Sequence, residues 1–147
     1  MYLSEYLCHD CVIAELTARN KDQVLRELAS VAKRRGLNED LVYAVLLERE
    51  KLGTTAVGGG IAIPHGKMAG IDSMLLFFAR STQGVDFDAA DKRPCHFFFA
   101  VLAPEGAAGQ HLGMLGAIAR RVRDAAFITR LTQAQNAEEL ADFLSAV

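Results

Sequence analysis

An α/β fold is expected for this chain: a single three-layer domain over residues 1–147, with a mixed β-sheet flanked by helices on both faces. Three observations carry that expectation. The stretches Met74–Ala79 and Cys95–Leu102 are apolar without alternation, as strands covered on both faces are. Other segments repeat apolar residues at helical spacing. Strand and helix signals are interleaved along the chain, which suits one layered domain. A chain of 147 residues with 51% hydrophobic residues can bury a substantial core.

In chain order, a short turn or helix leads into a strand at Val12–Leu16. Cys8-His9-Asp10-Cys11 is a CxxC, which could be half of a metal site or a redox pair. Without a second CxxC, the plainer expectation is one core cysteine and one semi-exposed. Asn20 can cap a helix to about Arg35, with Val24, Leu25, Leu28, Val31 and Ala32 inward and Gly36 after its end. Asn38 can cap a second helix, with Leu41, Val42, Val45 and Leu46 inward and Arg49 near its end. Gly53–Gly60 reads as a loop or short hairpin. It carries neither a P-loop nor a GxGxxG, so a nucleotide site is not expected.

Ser81–Pro94 is polar and turn-rich, with Val85-Asp86-Phe87 as a small strand or anchor. Its aspartates lack EF-hand order. A helix from about Gly109 to Arg123 should bury Leu112, Leu115, Ile118, Ala119 and Val122. Asp124 can cap a short helix through Leu131. Asn136 and Glu139 have capping-box spacing before a final helix that covers one sheet face.

The chain's chemistry centres on Gly58-Gly59-Gly60-Ile61-Ala62-Ile63-Pro64-His65-Gly66. Ile61–Ile63 reads as a brief buried strand that Pro64 should end, because proline offers no ladder donor. His65 is then delivered at a strand end, between glycines that leave room for another molecule. A neutral imidazole there can act as nucleophile near pH 7; a lone histidine can equally well cap a strand. His111, in or near a helix's first turn, is suitably placed to meet phosphate or simply to face solvent. Arg49 is a solvated helix-end arginine or a fork of donors for an oxyanion. His96, at the start of an apolar strand, reads as structural.

The segment Gly60–Gly66 closely resembles the phosphorylation-site signature of the fructose/mannitol-type EIIA domains of the bacterial phosphoenolpyruvate-dependent phosphotransferase system. Glu48-Arg49-Glu50 with Thr54-Thr55 resembles the family's approach to that site. Leu102-Ala103-Pro104 followed by His111-Leu112 resembles its second-histidine segment. Val85–Ala89 and Arg123-Asp124 make the chain most similar to the nitrogen-regulatory branch, EIIA-Ntr. Ala56 stands where the family usually has glycine, and Gly59 where asparagine is common.

The resemblance implies a phosphocarrier or regulator rather than a free-standing enzyme. His65 would be the nucleophile, His111 the orienting or donating group, and Arg49 the charge neutraliser, with no cofactor and no metal. The implied donor is an HPr-like phosphocarrier protein (NPr or HPr). The implied acceptors are regulatory target proteins or, in a sugar-transport role, an EIIB domain. Metal-dependent hydrolysis by His65, His96, His111 or the CxxC has no matching zinc spacing, and a pure interaction module would leave Pro64-His65-Gly66 without a task.

A net charge of −2 gives no footprint for nucleic acid. No apolar run reaches the roughly 20 residues of a membrane span. The first residues lack a signal-peptide pattern, and the three cysteines suit a reducing cytoplasm.

Overall fold

The computed structural model describes residues 1–147. In chain order it runs a 3-10 turn at Leu3–Glu5, β1 (Leu7–Ile13), α1 (Lys21–Ala32), a 3-10 turn at Lys33–Arg35, α2 (Glu39–Lys51), β2 (Ala56–Gly58), β3 (Ile61–Ala62), β4 (His65–Met68), β5 (Leu75–Val85), β6 (Cys95–Pro104), α3 (Ala108–Arg121), α4 (Ala125–Gln133) and α5 (Ala137–Leu144). The sheet order is β1-β5-β6-β3-β2, with β4 also paired to β6. β5 and β6 are antiparallel, whereas β1–β5, β3–β6 and β4–β6 are parallel, so the sheet is mixed.

β6 explains the three layers. Phe98, Ala100 and Leu102 project to one face and join Val24, Leu25, Leu28, Val42 and Leu46 of α1 and α2. Phe97, Phe99, Val101 and Ala103 project to the other and join Met114, Ile118, Phe127, Leu131 and Leu140 of α3, α4 and α5. Both faces of the strand are covered, which is why its sequence does not alternate. Phe77, Phe78, Phe98 and Phe99 are fully buried, and each contributes about 2–3 kcal/mol relative to exposure.

Helix starts follow the expected caps. Asn20, Asn38 and Asn136 accept from the backbone N–H three residues on, and Asp124 from Ala126. At the last helix the capping box is only half made: Glu139 accepts from Gln135 N–H rather than from the cap residue itself.

Several expectations need correction. The first strand is Leu7–Ile13, not Val12–Leu16. A register shift between Leu7 and Val12 disguises its alternation and turns both Cys8 and Cys11 inward. Neither cysteine is semi-exposed. Their Sγ atoms lie 2.6 Å apart, and burial, reinforced by Cys8, pushes the Cys11 thiol up to about 12. β5 extends through the polar Ser81–Val85 because a shift against β6 between Arg80 and Val85 lets Thr82 and Gln83 face solvent. Leu41 of α2 is 44% exposed rather than inward.

Pro64 interrupts the strand without ending it. β3 pairs with β6 at Ile61–Phe97, and β4 resumes on the same strand at His65–Val101. The glycines before the run serve a turn: Gly58, Gly59 and Gly60 have φ of 91°, 66° and 84°, closing the hairpin between β2 and β3. Gly60 O accepts from His96 N–H and Phe97 N–H, so this turn lies at the far end of β6 from His65 and gives no access to the imidazole. Ala56 pairs with Ala62 and has no positive φ, so alanine at this position carries no backbone strain.

Candidate functional site

His65 opens β4, with Pro64 before it. Pro64 O accepts from Val101 N–H at 2.9 Å, and Ile63 N–H donates to Thr55 O at 3.0 Å. The backbone before the proline is therefore tied to the segment leading into β2, and the proline's own carbonyl to β6. The ring's Nδ1 lies 2.7 Å from Ile63 O. A carbonyl oxygen only accepts, so Nδ1 carries the proton. Burial holds the His65 pKa below the ordinary imidazole value. The Ile63 carbonyl pulls against that, Arg49 adds to the depression and Glu50 opposes it. The neutral ring thus has one tautomer, with the Nε2 lone pair free.

His111 lies in the first turn of α3, and its ring centroid is 5.2 Å from that of His65, nearly edge-on at 77°. It does not face solvent: only 7% of the residue is exposed, and Nε2 has no hydrogen-bond partner. The inward stripe of α3 is His111, Met114, Ala117 and Ile118, whereas Leu112 is 73% exposed. The expected stripe was therefore rotated by one residue at the helix start. Taking the more apolar of two adjacent residues as inward produced the error; counting back from Ile118 by helical turns leads to His111.

Arg49 donates from Nη1 to Gly53 O at 2.9 Å, which fastens the end of α2. It also lines a cleft of about 540 Å³ together with Leu41, Val45, Leu52, His65 and His111. The three expected site residues are thus brought to one cleft. His96 is elsewhere, its Nδ1 2.9 Å from Ser81 O.

Three residues have roles at the site that the sequence did not reveal. Lys67, two residues after His65, adds a cation to the cleft wall. Gly66 does not serve access to the imidazole: a Cβ there would meet Val45 Cγ1 at 2.4 Å, so its bareness seats α2 against β4. Glu50 is buried and accepts from Lys21 Nζ, Thr55 N–H and Thr55 Oγ1. None of these roles leaves a periodic trace in the sequence. No group of three or more His, Cys, Asp and Glu side chains gathers in a metal-binding arrangement, and no helix is long and apolar enough to cross a membrane.

Burial lowers the His111 pKa to about 4, and His65 and Lys67 add to the effect. An unfolded histidine titrates near 6.5. Between those values the unfolded chain binds a proton that the folded one refuses, so stability falls as pH drops from about 6.5 towards 4. The loss should be on the order of 3 kcal/mol from this group. His111→Leu is expected to flatten that part of the stability curve, as read by denaturant unfolding at pH 7 and pH 4.5.

The family model described as "Phosphoenolpyruvate-dependent sugar phosphotransferase system, EIIA 2" matches residues 5–147. The chain is 40% identical to a nitrogen regulatory protein of Bradyrhizobium diazoefficiens, covering 99% of this chain and 95% of that one. It is 30% identical to the fructose-specific EIIABC component of Bacillus subtilis over 99% of its own length, but spans only 23% of that larger protein. The crystal structure of nitrogen regulatory protein IIA-Ntr from Neisseria meningitidis superposes with a TM-score of 0.88 at 31% identity, covering 97% of this chain and 98% of that one. The chain belongs to the type 2 EIIA family of the phosphoenolpyruvate-dependent sugar phosphotransferase system, with nitrogen-regulatory proteins among its relatives.

Proposed function

We propose that His65 accepts a phosphoryl group from the phosphohistidine of an HPr-like protein, and that the phosphorylation state then controls partner proteins in the cytoplasm. One observation carries the reading above the rest: His111 Nε2 is buried and unpartnered, on a ring whose centroid is 5.2 Å from that of His65. A buried polar nitrogen without a partner is costly. A phosphoryl oxygen on His65 would supply the missing acceptor.

The tautomer assigns the reacting atom. His65 Nε2 attacks phosphorus in line with the donor's P–N bond. A new P–N bond forms at Nε2, and the electron pair of the old bond returns to the donor's ring. The Nδ1 proton stays against Ile63 O throughout. Positioning and charge stabilisation supply the catalysis, because an oxyanionic group is being moved rather than activated. His111 donates to one phosphoryl oxygen, and Arg49 and Lys67 offset the negative charge.

The test is incubation with phosphoenolpyruvate, enzyme I and an HPr-like carrier. Acid-labile label, with ring NMR placing phosphorus on Nε2, is the expected result. Absence of label with several competent donors would overturn the proposal, and a phosphoryl group on Nδ1 would overturn the assigned tautomer. A second reading, transfer onward to an EIIB domain for sugar uptake, is favoured by the similarity to the fructose-specific EIIABC component. It predicts that the label leaves His65 within seconds of adding an EIIB domain, whereas the regulatory reading predicts that the label persists.

A further inference from the structure

We infer that Glu50 is a positioning residue for His65, acting through a short relay of hydrogen bonds; the inference rests on the phosphoryl-acceptor reading above. The relay begins at a buried carboxylate that grips one residue twice. Thr55 N–H donates to Glu50 Oε1 at 2.8 Å, and Thr55 Oγ1 donates to Oε2 at 2.7 Å. Two bonds to the two oxygens of one rigid group fix both the place and the orientation of Thr55. Thr55 O then accepts from Ile63 N–H at 3.0 Å. Ile63 O in turn accepts from His65 Nδ1–H at 2.7 Å. Ile63 thus has its N–H fastened to the Thr55 segment and its C=O to the catalytic ring.

The relay lies where ordinary strand pairing fails. β3 ends at Ala62, Ile63 belongs to no strand, and Pro64 has no N–H to offer. Without a substitute for the ladder, Ile63, whose carbonyl selects the tautomer of His65, would be held only through its neighbours: Ala62 in β3, and Pro64, whose carbonyl accepts from Val101 N–H. Glu50 provides that substitute from α2. Lys21 makes the buried carboxylate tolerable: its Nζ lies 3.0 Å from Glu50 Oε1 and 3.0 Å from Asp88 Oδ2. Lys21 makes no hydrogen bond to His65, so the lysine serves the carboxylate rather than the ring.

Position and charge can be separated with two variants. Glu50→Gln keeps the length of the side chain and can hold Thr55 N–H and Oγ1 after the hydroxyl rotates, but it loses the charge. Glu50→Asp keeps the charge but draws the carboxylate back by about 1.5 Å, one C–C bond. Transfer rates from a phosphorylated HPr-like carrier and ¹⁵N spectra of the His65 ring are measured for both. A positioning role predicts Glu50→Gln within about threefold of wild type, with Nδ1 protonated as before. It predicts Glu50→Asp slower by about tenfold to a hundredfold, the range a misplaced reacting group produces, with ring resonances averaged between the two tautomers.

The inference is overturned if Glu50→Asp transfers at the wild-type rate with an unchanged ring spectrum. It is equally overturned if Glu50→Gln falls as far as Glu50→Asp, since charge would then be the active property. Should Glu50→Asp not fold, Thr55→Val decides the matter: removal of the Oγ1 bond should cost several-fold in rate, and a wild-type rate would sink the relay. If wild-type protein takes no label at all, the acceptor reading has failed, and the ring spectra still judge the relay by themselves.

Discussion

His65→Ala is expected to lose all acid-labile phosphoryl label while keeping the fold. The imidazole is a half-buried side chain at a strand start, and its removal leaves the backbone pairing of β4 intact: Pro64 O still accepts from Val101 N–H. The single bond lost is the one to Ile63 O, an acceptor that water can reach through the cleft once the ring has gone. Stability should change by no more than about 1 kcal/mol. Activity should vanish because nothing nearby can replace the nucleophile. His111 is close, but it is buried on α3 and cannot offer its nitrogen in line with an external donor. Measurement of incorporated phosphoryl per chain, beside a thermal melt, checks both halves. Residual label at a wild-type level would move the acceptor away from His65.

Gly66→Ala should be nearly as damaging, by a different route. The added methyl would lie 2.4 Å from Val45 Cγ1 and 3.2 Å from Val45 O. The nearer atom belongs to a β-branched side chain, which in a helix has essentially one comfortable rotamer. The farther one is backbone and cannot swing aside. α2 must therefore lift from β4. The overpacking should cost about 1–3 kcal/mol. The larger effect is functional, because the same helix carries Arg49 and Glu50 to the site. Displacement by a few tenths of an ångström or more should slow transfer by about tenfold or more. The double variant Gly66→Ala with Val45→Ala removes the worst clash and should recover most of the stability. If Gly66→Ala alone melts and transfers like wild type, close seating of α2 does not govern the site.

The sequence revealed most where one residue type dictates one local structure. The apolar runs of β5 and β6 reported a sheet covered on both faces, and Asn20, Asn38, Asp124 and Asn136 marked helix starts that the structure shows capped. Pro64 before His65 announced a break in the strand pairing, although the pairing resumes at His65 instead of ending there. The remaining features depend on tertiary partners. β1 was misplaced because a register shift cancels its alternation. α3 was rotated because an inward histidine opposes the simple rule that apolar residues face in; that exception is the residue with the unpartnered nitrogen. Gly66 looked like an opening, and only the position of Val45 shows that it is filled from within. Glu50 lies in the segment that resembles the family's approach to the site, but its role as a buried carboxylate is intelligible only once Lys21 and Thr55 are seen around it.

Leu3 N–H donates to Val147 O at 3.1 Å, so the first 3-10 turn and the residues after α5 are fastened side by side. Val147 follows α5, which packs on β1, and the 3-10 turn at Leu3–Glu5 packs on α3, while His65 stands beyond β5 and β6. A mechanical pull on those two points would load β1 and α5 first and peel them from β5. β4 and β6, which hold His65 in place, would bear that load last.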